Sequence, residues 1–239
     1  GETMELLIKI LKEYNIELTD KQISQYAEYM EQILVYNEHI NLTSITDRDE
    51  FIKKHYVDSI LGALNDEFQA GEMIIDVGTG AGFPGVPLAI LFPEKEFVLL
   101  DSLNKRLKIV SEICHSAGIN NVRVLHSRAE DAGKNKEYRE QFDICISRAV
   151  ADLSVLSELC LPLVREGGYF LSYKGPNYEE ELAGAKKAIR TVGGKTSRIE
   201  SIGSADTEFN HNIIFIEKIK NTPAQYPRKA GTPSKNPIK

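Results

Sequence analysis

From Gly71 onward, short apolar runs alternate with amphipathic stretches of helical length, an alternation that few architectures accommodate. Strands are predicted at 73–77, 96–100, 122–126, 142–147 and 168–173, with helices at 84–91, 104–117, 152–165 and 177–192. In the 104–117 helix, Leu107, Val110, Cys114 and Ala117 form the buried stripe, and Gly118 ends it. Strand–helix alternation of this kind predicts an α/β fold with a doubly wound, mostly parallel sheet. Two more runs, 195–202 and 211–218, lack a strong helix between them. They should pair as an antiparallel edge, which brings the sheet to seven strands.

Before residue 70 the period is helical. Leu6, Leu7, Ile10, Leu11 and Tyr14 mark one face of a first helix. Thr19 and Gln22 have the spacing of a capping box for a second, whose apolar face runs Ile23, Tyr26, Ala27, Met30, Ile33 and Leu34. Asp47 and Glu50 open a third, with Phe51, Ile52, His55, Tyr56 and Ser59 at helical spacing. The organisation is therefore an N-terminal helical subdomain at 1–70, a sheet domain at 71–220, and a tail at 221–239. Four prolines in the tail (Pro223, Pro227, Pro233, Pro237) predict no regular structure there. Gly1–Thr3 precede Met4, where the natural chain is expected to start.

No apolar run reaches the roughly 20 residues a bilayer span needs, and no signal-peptide pattern opens the chain. A cytoplasmic protein without a membrane partner is expected, most simply a monomer. Cys114, Cys145 and Cys160 lie in apolar segments without metal-ligand spacing, as buried free thiols would. His55 and Asp58 are three apart with no third ligand nearby in sequence, so no metal site is read. The chain carries −6 overall, but residues 218–239 hold six basic side chains and no acidic one, leaving the preceding 217 at −12. A basic tail on an acidic body fits a polyanionic partner, and fits a merely solvated tail equally well.

The sharpest local signal opens the sheet domain. Met73-Ile74-Ile75-Asp76-Val77 reads as a buried strand with an acid near its end. A turn rich in glycine (Gly78, Gly80, Gly82) then leads through Phe83-Pro84 into a helix. Ligands of open parallel sheets sit beyond the carboxyl ends of the strands. Glycines there remove the Cβ atoms that would keep a ligand off the backbone. A dinucleotide fingerprint needs glycine where Phe83 stands, and a phosphate-cradling loop needs a Gly-Lys-Ser/Thr triplet that is absent. Asp76 is placed to attract an ammonium and would repel a pyrophosphate. Asp101, closing Phe97-Val98-Leu99-Leu100, can accept both hydroxyls of a ribose. Together the two carboxylates describe S-adenosylmethionine; the plainer alternative is that both merely cap helices.

Several segments carry a more specific pattern. Tyr36-Asn37, Asn41-Leu42-Thr43-Ser44-Ile45 and Lys54-His55-Tyr56-Val57-Asp58-Ser59 come first. Asp76–Pro84, Asp101-Ser102, Lys105-Arg106, Ser127-Arg128-Ala129-Glu130, Ser147-Arg148-Ala149-Val150, Tyr173-Lys174-Gly175 and Tyr226-Pro227-Arg228-Lys229 follow in order. This series resembles the motifs of the ribosomal RNA small subunit methyltransferase G family over nearly the whole chain, with Tyr36 standing where the family often has tryptophan. The resemblance implies a Rossmann-like class I methyltransferase sheet, S-adenosyl-L-methionine as cofactor, and 16S rRNA or the small ribosomal subunit as partner. The implied reaction is methylation of guanine N7 at one position of the 530 loop. Gly78 and Phe83 would line the cofactor, Ala129 and Glu130 would flank its adenine, and Arg148 would sit near its methionine end. Lys105, Arg128 and Lys174 would line the mouth of the site and, with Arg148, are the candidate catalytic residues.

The residues also speak to chemistry by what they lack. Enzymes that methylate exocyclic amines of bases often carry an Asn/Asp-Pro-Pro-aromatic turn after the fourth strand, where this chain has Ser147-Arg148-Ala149-Val150. Attack on a ring carbon needs a cysteine nucleophile, and Cys145 and Cys160 are badly placed for it. Guanine N7 has an in-plane lone pair at neutral pH and needs no general base. Catalysis would then rest on alignment, worth roughly 7–11 kcal/mol at best, of a base turned out of its stack. Because N7 must face the methyl, Lys174 or Arg148 is expected at O6. Three rival readings stay open: a methyltransferase for a small molecule or protein, a dinucleotide oxidoreductase, and a non-catalytic RNA-binding module.

Overall fold

The computed structural model describes residues 4–203 and 210–239; Gly1–Thr3 lie outside the described residues. Among the described residues, five α-helices precede the sheet: α1 (Glu5–Lys12), α2 (Asp20–Asn37), α3 (Arg48–Phe51), α4 (Asp58–Leu61) and α5 (Asp66–Ala70). Thr19 opens α2 by the predicted reciprocal cap: its Oγ1 accepts from Gln22 N at 3.1 Å and its amide donates to Gln22 Oε1 at 2.9 Å. Asp47 caps α3, accepting from Glu50 N at 3.0 Å. The third predicted helix is not continuous. Ile52–Val57 form a π-helical turn between α3 and α4. The wider turn lets His55, Tyr56, Val57, Asp58 and Ser59 all be buried, where a regular amphipathic helix would show part of that run to solvent.

The sheet domain follows in chain order as β1 (Met73–Val77), α6 (Gly85–Leu91), β2 (Glu96–Asp101), α7 (Asn104–Ser116), β3 (Val122–His126), α8 (Ala129–Ala132) and β4 (Phe142–Ser147). It continues with α9 (Leu153–Cys160), β5 (Val164–Lys174), α10 (Glu179–Thr191), β6 (Gly194–Ile202) and β7 (His211–Lys218). Spatial order is β3-β2-β1-β4-β5-β7-β6. The first five strands are parallel; β7 runs antiparallel to β5, and β6 to β7. The seven-stranded, doubly wound sheet with an antiparallel edge is therefore the observed fold. Strand residues alternate between two cores. Ile74, Leu99 and Ile146 pack with the N-terminal helices, α6 and α7, while Ile75, Cys145 and Phe170 pack with α9 and α10. The strand order reverses beside β1, which opens a crevice between the carboxyl ends of β1 and β4.

The tail departs from its expectation. It is folded onto the sheet domain and ends in a short helix, α11 (Thr232–Lys235). Arg139 donates to the carbonyls of Gly133, Tyr226 and Thr222 at 2.9, 2.6 and 2.9 Å. Prolines forbid long ladders, but side-chain donors can satisfy an irregular backbone just as well. Lys218, counted among the basic residues near the tail, is buried. It donates to Leu161 O at 2.7 Å and Val164 O at 2.8 Å and pairs with Glu140 at 2.9 Å. All three cysteines are buried free thiols. Among the described residues, no helix is long and apolar enough to cross a membrane.

Candidate active site

After β1 the chain folds back over the end of β2, because Gly78 N and Thr79 N both donate to Leu100 O, at 2.9 and 3.1 Å. Gly78, Gly80 and Gly82 take φ values of +73°, +57° and +98°, which glycine adopts without steric cost. Space is also short. A Cβ on Gly78 would lie 3.3 Å from that of Ala149, and one on Gly82 would run into the Tyr29 hydroxyl. That hydroxyl, from α2, donates to Ala81 O at 2.6 Å. The N-terminal helices thus brace the loop from behind.

The two acids have different environments. Asp76 is fully buried. Its Oδ2 accepts from Thr79 Oγ1 at 2.7 Å and Gly85 N at 2.9 Å, while Oδ1 has no partner. Burial pushes its carboxyl up to about 7 against the pull of those two hydrogen bonds. Asp76 therefore braces the loop and the start of α6 from within, which is half of the capping alternative. Asp101 lies at the rim: Oδ2 accepts from Gly80 N at 2.8 Å and Oδ1 from Leu103 N at 2.9 Å. Each oxygen keeps a second lone pair. Beside it opens a chamber of about 260 Å³ lined by Gly78, Asp101, Arg128, Ala129, Glu130 and Ala149.

Ala149 also lines a second cavity of about 580 Å³, with Arg148, Val150, Tyr173, Lys174 and Glu181. Arg148, Tyr173 and Lys174 continue into a third, of about 340 Å³, with Ile45, Asp58 and His211. The crevice is thus a nucleoside-sized chamber meeting a wider one at Arg148–Ala149. Ser147, the last residue of β4, fixes that junction: its Oγ donates to Val77 O at 2.9 Å and accepts from Ala149 N at 3.1 Å.

Arg148 is the centre of a polar network. Its Nη1 donates to Lys54 O at 2.9 Å and to Asp58 Oδ2 at 3.1 Å, and its guanidinium carbon stands 5.6 Å from the Phe83 ring. The other Asp58 oxygen meets His211 Nδ1 at 2.6 Å. His55, Asp58 and His211 belong to this network although none was among the expected site residues. His55 and Asp58 were signalled by their three-residue spacing and by the Lys54–Ser59 motif, whereas His211 arrives from β7 with no local signal. Among the described residues no group of three or more His, Cys, Asp or Glu is arranged to hold a metal.

The other expected residues are spread out. Lys174 is not free at the mouth; its Nζ donates to Ala151 O at 2.9 Å and pairs with Glu181 at 2.6 Å. Arg128 lines the smaller chamber and lies 3.4 Å from buried Glu130. Lys105 is exposed on α7 and belongs to none of the three linings. Phe83 is also outside those linings; its ring is buried in an aromatic cluster with Tyr29, Phe51 and His55.

A sheet in this order, with a glycine loop after β1 and a carboxylate closing β2, defines a class I methyltransferase. Solved structures agree on the fold. NSun6 from Pyrococcus horikoshii with SFG superposes with TM-score 0.55 at 15% identity, covering 75% of this chain and 57% of that one. A single-residue mutant of the 16S rRNA (adenine(1408)-N(1))-methyltransferase from Catenulisporales acidiphilia gives 0.53 at 13%, covering 70% and 91%. The chain belongs to the rRNA small subunit methyltransferase G family, whose profile matches residues 22–210. Relatives named ribosomal RNA small subunit methyltransferase G include those of Clostridium novyi, 47% identical over 94% of this chain and 92% of its own, and Lactobacillus johnsonii, 47% identical over 98% and 99%.

Proposed function

We propose that the enzyme transfers the methyl group of S-adenosylmethionine to N7 of one guanine in the 530 loop of 16S rRNA, acting in the cytoplasm. The reading is carried by family membership over residues 22–210, joined to a crevice whose small chamber meets a wider one at Arg148–Ala149. The residues present fit such a cofactor. Gly78 lines the smaller chamber without a side chain, Asp101 keeps lone pairs for two ribose hydroxyls, and buried Asp76 has an unpartnered Oδ1 behind the loop. Ala129 and Glu130 would flank the adenine. When bound, the cofactor supplies an electrophilic methyl on a sulfonium.

The protein's task is then to orient a guanine and exclude water, since N7 carries no proton to remove. The histidine at the centre of the site is not free to act as a general base: both ring nitrogens of His55 are engaged, by Arg148 at 3.1 Å and Thr43 at 2.8 Å. Arg148 remains a donor. A guanidinium has five N–H groups, and three contacts hold this one to Lys54, Asp58 and His55. The others can reach O6 of a base in the wider chamber, while Lys174, tied to Glu181 and Ala151, shapes its wall.

Incubation with methyl-labelled S-adenosylmethionine and isolated small subunits, or naked 16S rRNA, tests this reading. Label should enter 16S rRNA and be lost on prior nuclease treatment. Label confined to protein or small molecules, or none at all, would contradict it.

A further inference from the structure

Ser234, on the segment 226–236, is part of the lining of the 260 Å³ chamber. That segment is strongly anchored. Arg228 grips Glu158 with two nitrogens, Nη2 to Oε1 at 2.8 Å and Nε to Oε2 at 3.1 Å, while its amide donates to Oε2 at 2.8 Å. Glu158 is fully buried on α9, so this pair is a fixed point rather than a surface salt bridge. Pro227 packs on Gly133, where an added Cβ would sit 2.9 Å from its Cγ. Gly231 N donates to Glu130 Oε2 at 2.8 Å, and Glu130 is itself a lining residue. One hydrogen bond therefore ties the strap to the chamber wall.

Ser234 shares the lining with Asp101, Ala129 and Glu130. With the ribose on Asp101 and the adenine flanked by Ala129 and Glu130, the Gly231–Glu130 hydrogen bond ties the segment that carries Ser234 to the base side of the chamber. Ser234 is exposed, so a base seated there would cover it. We propose that Ser234, held by the Arg228–Glu158 and Gly231–Glu130 anchors, closes the base end of the chamber and is a specificity-determining residue that excludes nucleosides enlarged at the outer edge of the adenine. The proposal rests on the cofactor reading above.

Calorimetric titration of the full chain with S-adenosylhomocysteine and its N6-benzyl derivative tests it. The unaltered protein should prefer the parent nucleoside by at least about tenfold. Ser234→Gly should shrink that preference by about threefold or more, read as the ratio of the two dissociation constants. Ser234→Phe, folded by circular dichroism, should bind the parent about tenfold more weakly. The glycine variant decides, because it adds no bulk that could perturb folding. Unchanged discrimination in Ser234→Gly would overturn the proposal while leaving the cofactor reading intact. Failure of the unaltered chain to bind S-adenosylhomocysteine would overturn both.

Discussion

Arg148 donates from Nη2 to Nδ1 of His55 at 3.1 Å, and that bond fixes the state of a buried imidazole. A guanidinium cannot accept, so Nδ1 carries the lone pair and the ring proton sits on Nε2, given to Thr43 Oγ1 at 2.8 Å. The neutral ring stacks flat on Phe83, 4.2 Å between centroids and 3° between planes. Segment 41–45, the π-helical turn, the glycine loop and the β4 end are thereby coupled through one side chain.

Burial and the Arg148 charge lower His55 to about 3. An unfolded histidine titrates near 6.5. Between those values the unfolded chain takes up a proton that the folded chain refuses. The His55 contribution is therefore fully present above pH 6.5 and lost as pH falls towards 3. His55→Phe should lose roughly 2–3 kcal/mol less stability than the unaltered protein between pH 7.5 and 4.5, read by urea unfolding. Equal losses would place a charged His55 in the fold.

Asp58 carries Arg148 on one oxygen and His211 on the other, and is itself buried. Asp58→Asn keeps the shape and removes the charge. It should cost about 2–3 kcal/mol in thermal unfolding and about 100-fold in single-turnover methyl transfer. Arg148→Lys should be nearly as inactive as Arg148→Ala, because a point charge cannot serve Lys54 O, Asp58 and His55 together. An active lysine variant would show that only the charge matters.

For Asp76 the sign is opposite. Its folded value of about 7 exceeds the ordinary 3.8, so between these pH values the folded protein keeps a proton that the unfolded chain releases. Its contribution to stability thus falls as pH rises through that window. Relative to the unaltered protein, Asp76→Asn should gain on the order of 2–4 kcal/mol in unfolding free energy from pH 4 to pH 8. It should also bind S-adenosylmethionine at least about threefold more weakly, because the carboxylate that accepts from Thr79 and Gly85 and braces the glycine loop is gone. Full affinity in calorimetry would show that the loop does not depend on the Asp76 carboxylate.

The hydroxyl of Tyr29 occupies the space that a Cβ on Gly82 would need. Tyr29→Phe should cost about 1–3 kcal/mol by freeing the buried Ala81 carbonyl, and should loosen cofactor binding by a smaller factor than Gly82→Ala. The alanine is strained twice, by its φ of +98° and by the contact. If Gly82→Ala binds normally, the loop is not held as described.

Much of this was legible because the local rules agreed. Strand β1, the Thr19–Gln22 cap and the α7 stripe each follow from period and capping chemistry alone. What escaped was long-range. The tail is ordered by Arg139 and Arg228 reaching carbonyls and a carboxylate far away in sequence, which proline counting cannot see. Lys174 looked like a free cation because Glu181 lies on the next helix. Asp76 looked outward because its position at a strand end is right for a ligand, yet Gly85 and Thr79 draw its carboxylate beneath the loop. Periodicity also missed the extra residue of the Ile52–Val57 turn, which buries His55 and Asp58 together.

The most direct test is chemical scission of the product. Methylation at N7 makes a guanine sensitive to borohydride, and aniline then cuts the chain at that nucleotide. Small-subunit 16S rRNA treated with the enzyme and S-adenosylmethionine should show one new cut, in the 530 loop, that is absent with Arg148→Ala. Methyl incorporation without an aniline-sensitive cut, or a cut elsewhere, would contradict guanine N7 of that loop as the acceptor.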